Sequence, residues 1–257
     1  MTIEVKGLVI RTVDIKESDR LITIFSEEMG IVTALARGAR SLKSRAMSAT
    51  MQFCYSSFVL NKRGEYYVVK ETALIESFYG IRNTIEGLAL AAYIAEVLSY
   101  ITVTEAERDL LRLSLNSLYA IAEQKATLDK VKAAFEIRAV SIIGFMPDVL
   151  CCSLCGEKLG NFYFDIMGGS LCCYSCNQKK AMTASSVDDG EKRIVCILSE
   201  TARVALEYCI YSPLQKIFSF KIPDEDMAIL SRATEEYLLN QLERSFKTLD
   251  FYNEVKR

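Results

Sequence analysis

CCSLCGEKLGNFYFDIMGGSLCCYSC, residues 151–176, holds six of the nine cysteines of the chain in two clusters. Cys152-x2-Cys155 and Cys173-x2-Cys176 stand seventeen residues apart, the spacing of a four-cysteine zinc site. Each CxxC turn lets two thiolates converge on one ion, and two such turns complete a tetrahedron. Gly156 follows the first knuckle, and Gly168-Gly169 turn the chain back between the two. Cys151 and Cys172 rival their neighbours, because a CxxxC spacing is also geometrically open to them. Buried thiols would not explain two CxxC pairs, and a thioredoxin-type dithiol has a single pair at a helix start. The expected ligand set is Cys152, Cys155, Cys173 and Cys176, holding one structural Zn2+. Four thiolates close the shell, so no position is left for metal catalysis.

The segment interrupts a chain that reads as helical on both sides. Helical spacing of apolar residues runs over 85–101, over a helix from 104 that opens on the capping box Thr104-Glu105-Ala106-Glu107, and over 127–143, which ends at Gly144 before Pro147. Beyond the polar stretch SSVDDGEK (185–192), helices are expected at about 193–211, stopped by Pro213, and at about 224–248 after Pro223. The apolar run 87–104 carries Glu96 in its middle and no basic flank at its C-terminal end, so it reads as a core helix and not a membrane span.

Before Gly80 the period is two. IEVKGLVIRTVDI (3–15), RLITIFS (20–26), IVTALAR (31–37), QFCYSSFVL (52–60) and EYYVVKETALI (65–75) read as five strands, with Gly30 and Gly64 turning two hairpins. Five antiparallel strands with this spacing fit a small barrel of the OB type, whose ligand face is bordered by the loops between strands 1 and 2 and between strands 4 and 5. The expected fold is α+β and multidomain. It comprises an OB-type nucleic-acid-binding domain (1–80), a helical domain (81–150 with 185–257) and an inserted four-cysteine zinc module (151–184).

The chain has 257 residues, 51% hydrophobic and 25% charged, which describes a globular protein with a sizeable core. Histidine is absent. That removes Ser-His-Asp and Cys-His catalysis and every His-containing zinc site. Charged Glu4 and Lys6 break any apolar leader, so a cytoplasmic protein is expected, in a compartment where nine cysteines are not a disulfide framework.

Net charge is −2, but its distribution is uneven. From Met29 to Gly64 there is no acidic residue, while Arg37, Arg40, Lys43, Arg45, Lys62 and Arg63 all fall inside that window. Cations alternating with Ser and Gly in RGARSLKSR (37–45) suit phosphate contacts, with salt-sensitive and sequence-independent binding. The loop is not a P-loop, since Leu42 stands where the second glycine belongs. Of Phe53, Tyr55, Phe58, Tyr66 and Tyr67, two or three are expected outside the barrel, where they could stack on bases.

Four segments resemble the bacterial recombination mediator RecO family: GLVIRTVDIKESDRLITIFSEEMGIVTALARGARSLKSR (7–45), FEIRAVSIIGFMPDVLCCSLCG (135–156), GGSLCCYSC (168–176) and YLLNQLERSFKTLDFY (237–252). The most specific part is Gly144-Phe145-x-Pro147 leading into C-x2-C-Gly and then Gly-Gly-x2-Cys. Family spacing from the proline favours Cys152. The family places its third cysteine at the position of Cys172, but its partner three residues on is Ser175 here, so a one-residue insertion hands the role to Cys173.

The resemblance implies an OB domain, a helical body with a zinc module, and no enzymatic activity. It implies binding of single- and double-stranded DNA, strand annealing, and cooperation with RecR and the single-stranded DNA-binding protein in loading RecA, at the bacterial nucleoid. Rival readings are an interaction adaptor with little DNA binding of its own, or an RNA-binding OB and zinc protein.

Overall fold

The computed structural model describes residues 2–64, 66–101, 107–183 and 194–256. The chain divides into two compact units, residues 1–125 with 246–257 and residues 126–245. This division differs from the sequence boundaries near 80, 150 and 184, which followed changes of hydrophobic period.

The first unit is built on a closed barrel of β1 (Thr2–Ile15), β2 (Asp19–Ser26), β3 (Gly30–Ala36), β4 (Tyr55–Arg63) and β5 (Tyr66–Glu76), in the order β1-β2-β3-β5-β4. β1 closes it. The first half of β1 pairs with β4 and the second half with β2, and a register shift between Val9 and Arg11 bends the strand between its two partners. β3 and β5 join in parallel over only two pairs, Ala34 with Tyr67 and Leu35 with Val68. All five expected strands are present within a few residues of their expected bounds, and the OB-type barrel is borne out.

Inward residues at period two form the barrel core: Val5, Val9, Ile22, Ile24, Val32, Ala34, Phe58 and Leu60. Burying each of the larger side chains is worth about 1.5–3 kcal/mol. Gly30 and Gly64 take φ of 61° and 62° at the two hairpin turns, as expected.

The connection 37–54 carries the short helix α1 (Ala46–Ala49). Gln52 Nε2 donates to Ile10 O at 3.0 Å and Arg82 donates to Gln52 O at 2.7 Å, which ties the connection to β1 and to the chain after β5. Helices α2 (Ile85–Ile101) and α3 (Glu107–Ala122) follow. The expected capping box at 104–107 falls outside the described residues except at its last position. Glu96 accepts from the backbone N–H of Thr248 at 3.1 Å, which explains an acid inside the apolar α2. Among the described residues no helix is long and apolar enough to cross a membrane.

The second unit contains α4 (Leu128–Ile142), a four-stranded sheet, α5 (Tyr174–Thr183), α6 (Glu200–Tyr211) and α7 (Asp224–Gln241). The sheet runs β6 (Asp148–Cys152), β8 (Ser170–Cys173), β7 (Phe162–Asp165), β9 (Val195–Leu198), with β6 parallel to β8 and the other pairs antiparallel. Phe162, Phe164, Leu171 and Leu198 are buried on one face, where Phe164 meets Tyr237 of α7 at 5.3 Å between ring centroids.

Two helical expectations are corrected here. The segment 193–211 is not one helix: Val195–Leu198 is the edge strand β9, and Ser199 then caps α6 by accepting from Ala202 N at 3.0 Å. The segment 224–248 is also broken. Glu243 takes φ of 49°, and the chain restarts as α8 (Lys247–Val255), which belongs to the first unit. The break puts Phe246 edge-on to Tyr93 and Tyr100 at 5.9 and 6.1 Å.

Candidate metal centre and nucleic-acid interface

Two elements of the second unit present the cysteines. Cys152 ends β6 and begins a turn in which Gly156 N donates to Cys152 O at 2.9 Å, with Gly156 at φ of 77°. Cys173 ends β8 and Cys176 lies in the first turn of α5. The Sγ atoms of Cys152, Cys155, Cys173 and Cys176 all lie within 4.8 Å of one another, and those of Cys155 and Cys173 are 3.6 Å apart. A tetrahedron of thiolates around an ion at about 2.3 Å has edges of about 3.8 Å, so this donor set fits a metal ion.

The choice between adjacent cysteines follows from strand alternation on β8 and from a break in alternation on β6, where the register shifts between Asp148 and Cys152. On β8, Leu171 and Cys173 are buried, while Cys172 stands on the opposite face, paired in register with Tyr163. On β6, Val149 and Cys152 are buried and Cys151 is half-buried. Cys151 and Cys172 are outside the cluster.

Burial pushes the Cys152 thiol up, yet the N–H groups of Cys173, Leu154 and Cys155 outweigh it and bring it to about 6. The Cys173 N–H lies 3.3 Å from the sulfur. The Cys176 thiol is pushed up to about 12 by the crowding of Cys155 and Cys173. Cys155 is also raised: the Glu157 N–H lowers it, and the thiols of Cys152 and Cys173 override that. One sulfur is thus prepared as an anion while those of Cys155 and Cys176 hold their protons, and a cation at the centre would favour their ionisation.

The basic residues belong to the barrel unit. Arg37, Lys43 and Arg45 are exposed on the connection after β3, and Lys62 and Arg63 are exposed at the tip of the β4–β5 hairpin. Arg37 and Arg45, with Ser44 and Ala46, form one wall of a groove of about 420 Å³. Val69, Lys70, Glu71 and Thr72 of β5 form the other wall. The groove opens where the short β3–β5 pairing ends.

Arg40 has a different environment. Its Nη1 donates to Lys16 O at 3.0 Å and to Glu17 O at 3.2 Å, and its Nε lies 3.2 Å from Asp14 Oδ2. Of the five aromatics, Phe53 and Phe58 are buried, Tyr55 and Tyr67 are half-buried, and Tyr66 is 51% exposed beside Arg63 in register.

Residues 1–78 match the family described as Recombination protein O N terminal, and residues 82–250 match Recombination protein O C terminal. The chain belongs to the recombination protein O family. A DNA repair protein RecO from Acetivibrio thermocellus is 34% identical over 99% of this chain and 98% of its own length. The RecO proteins of Caldicellulosiruptor saccharolyticus and Clostridium kluyveri are 27% and 31% identical over 99% and 70% of this chain and 99% and 71% of their own. As a RecO-family member the chain is a DNA repair protein, and its OB-type barrel and four-cysteine cluster sit within the two matched regions.

Sequence reading missed three residues that shape the basic surface of this RecO-family chain. Lys70 is a lone cation in a strand that alternates irregularly, so nothing in its neighbourhood marks it. Asp14 and Arg20 lie six residues apart in sequence but are direct partners in the β1–β2 register. A hairpin drawn around the turn at 16–18 would have paired them.

Proposed function

We propose that the chain is a DNA-binding recombination mediator without enzymatic activity. It binds single- and double-stranded DNA, anneals complementary strands and, with RecR, helps load RecA onto DNA covered by the single-stranded DNA-binding protein. The observation that carries this reading is an OB-type barrel with a groove lined by Arg37, Arg45 and Lys70, in a chain matched along nearly its whole length by a DNA repair family.

The groove and its rim would hold phosphates through Arg37, Lys43, Arg45, Lys62 and Arg63. Arg40 adds its charge to the same surface while its hydrogen bonds go to the protein. Tyr66 offers a stacking face that tolerates any base. Such binding reads charge and not sequence.

In the second unit, Cys152, Cys155, Cys173 and Cys176 would hold one structural zinc ion. Bound by these four thiolates, such an ion would tie the turn after β6 to the end of β8 and the start of α5. In this reading residues 1–80 serve nucleic acid, 151–184 form the zinc module, and the helical segments of 81–150 and 185–257 receive protein partners. The protein would work in the bacterial cytoplasm, at the nucleoid.

A fluorescence assay of strand annealing, run without nucleotide and across a salt series, tests the reading. Annealing that proceeds without ATP and weakens as salt rises is the expected result. Absence of both annealing and DNA binding at low salt, with RecR-dependent activity retained, would establish a protein adaptor instead. Competition by RNA as effective as by single-stranded DNA would favour an RNA-binding protein.

A further inference from the structure

Arg40 was expected among the phosphate ligands, and its surroundings give it another task. Asp14, near the end of β1, is shared by two arginines: Arg20 Nε lies 3.2 Å from Oδ1 and Arg40 Nε lies 3.2 Å from Oδ2. Arg20 extends further, its Nη1 donating to Met47 O at 3.4 Å and to Thr50 Oγ1 at 3.3 Å, which anchors the α1 end of the connection. Arg40 holds the other end. Besides the bonds to Lys16 O and Glu17 O, its backbone N–H donates to Ser18 O at 3.0 Å.

The loop is also fixed from beneath. Gly38 N donates to Asp19 Oδ1 at 2.8 Å, and Ala39 is fully buried. The β1–β2 turn that Arg40 grips contains Lys16 at φ of 53°, a left-handed conformation that costs a non-glycine residue free energy and that the bonds from Arg40 help to hold. Within the basic loop, therefore, Ala39 is buried and the Arg40 guanidinium is bonded to the protein although its side chain stays 37% exposed, while Arg37, Lys43 and Arg45 are also exposed. On the opposite wall of the groove Lys70 is exposed beside Glu71.

We propose that Asp14, Arg20 and Arg40 form a clasp that fuses the β1–β2 turn to the β3–β4 connection and so sets the width of the phosphate-binding groove, with Arg40 a positioning residue and Lys70 an unrecognised phosphate ligand. This rests on the DNA-binding reading above for its function, but not for its structure. Individually these partly exposed ion pairs are weak. Their value is geometric, because one planar guanidinium spans a carboxylate and two carbonyls, which the point charge of a lysine cannot do at once.

The clasp and simple electrostatics predict opposite outcomes. Asp14→Asn removes a negative charge near the groove, so charge alone would tighten DNA binding. The clasp instead requires weaker binding. Equilibrium titration of the full chain with an oligothymidylate across a salt series, combined with amide hydrogen exchange of Gly38 and Arg40, separates the two.

Expected results are affinity reduced roughly fivefold by Asp14→Asn and by Arg40→Lys, with the double variant no worse than either single one because both break one network. The slope of log K against log salt should stay unchanged in these variants and fall by about 0.7 in Lys70→Gln. Exchange at Gly38 and Arg40 should accelerate in Asp14→Asn while thermal unfolding shows the barrel intact. Tighter binding by Asp14→Asn, or unchanged exchange at both amides, would overturn the clasp. An unchanged slope in Lys70→Gln would remove Lys70 from the ligand set. If the unmodified chain shows no salt-dependent DNA affinity, the DNA-binding reading fails, and the exchange measurement still decides whether the clasp exists.

Discussion

Lys132 is fully buried in the second unit, where it lies 2.9 Å from Glu136 Oε1 and 2.7 Å from Glu235 Oε2, and Thr234 Oγ1 donates to Glu136 at 2.8 Å. Burial alone would lower the lysine, but the two carboxylates outweigh it and hold its pKa above the ordinary lysine value. A lysine raised in the folded state stabilises fully below its unfolded value, and that contribution is lost as pH rises through the folded value. Unfolding by urea should therefore become easier on the alkaline side, above about pH 10.4, and less so in Lys132→Met. At neutral pH the same substitution strands the buried Glu136 and should cost about 3–5 kcal/mol in denaturant titration. A loss below about 1 kcal/mol would mean that Glu136 finds other partners.

Among the helices and strands, the main departures from periodicity occur where a segment changes its partners. The run 224–248 has helical spacing throughout, yet it breaks at 242–246 because Phe246, 1% exposed, is held against Tyr93 and Tyr100 in the first unit. Phe246→Ala should lower stability by about 3–5 kcal/mol, and calorimetry should show the loss in the transition of the barrel unit. The four-cysteine element yields a second prediction. The thiols of Cys155 and Cys176 are raised, so a zinc ion bound as proposed would have to expel their protons at pH 7. Titration calorimetry in two buffers of different ionisation enthalpy should give different heats. Replacing Cys173 with Ser should abolish uptake, whereas Cys172→Ser should leave it intact.

For the molecule as a whole, a chain of net charge −2 is expected to hold DNA through a local field. Neutralising Arg37, Lys43, Arg45 and Lys70 together should reduce the salt slope on single-stranded DNA by about 2–3, near 0.7 for each phosphate no longer neutralised. Folding should be unaffected, because these side chains are exposed and none of them belongs to the barrel core. A variant that keeps the parent slope would place the DNA elsewhere on the molecule.

The barrel, most helices, the two CxxC turns and the window without acid were legible before folding was considered, since each depends on a local period or spacing. Period two in five short runs and the loop glycines specify an OB-type barrel before any long-range pairing is known. Whether Cys172 or Cys173 joins the cluster was not local. It turns on which face of β8 is buried, and a shift of one residue reverses that answer. The same holds for Arg40. In sequence it is one cation among six, and only the fold brings Asp14 and the carbonyls of Lys16 and Glu17 around its guanidinium. Composition records the charge a residue carries; folding settles whether that charge meets the protein or is left for a ligand, because hydrogen-bond partners distant in sequence become neighbours only then.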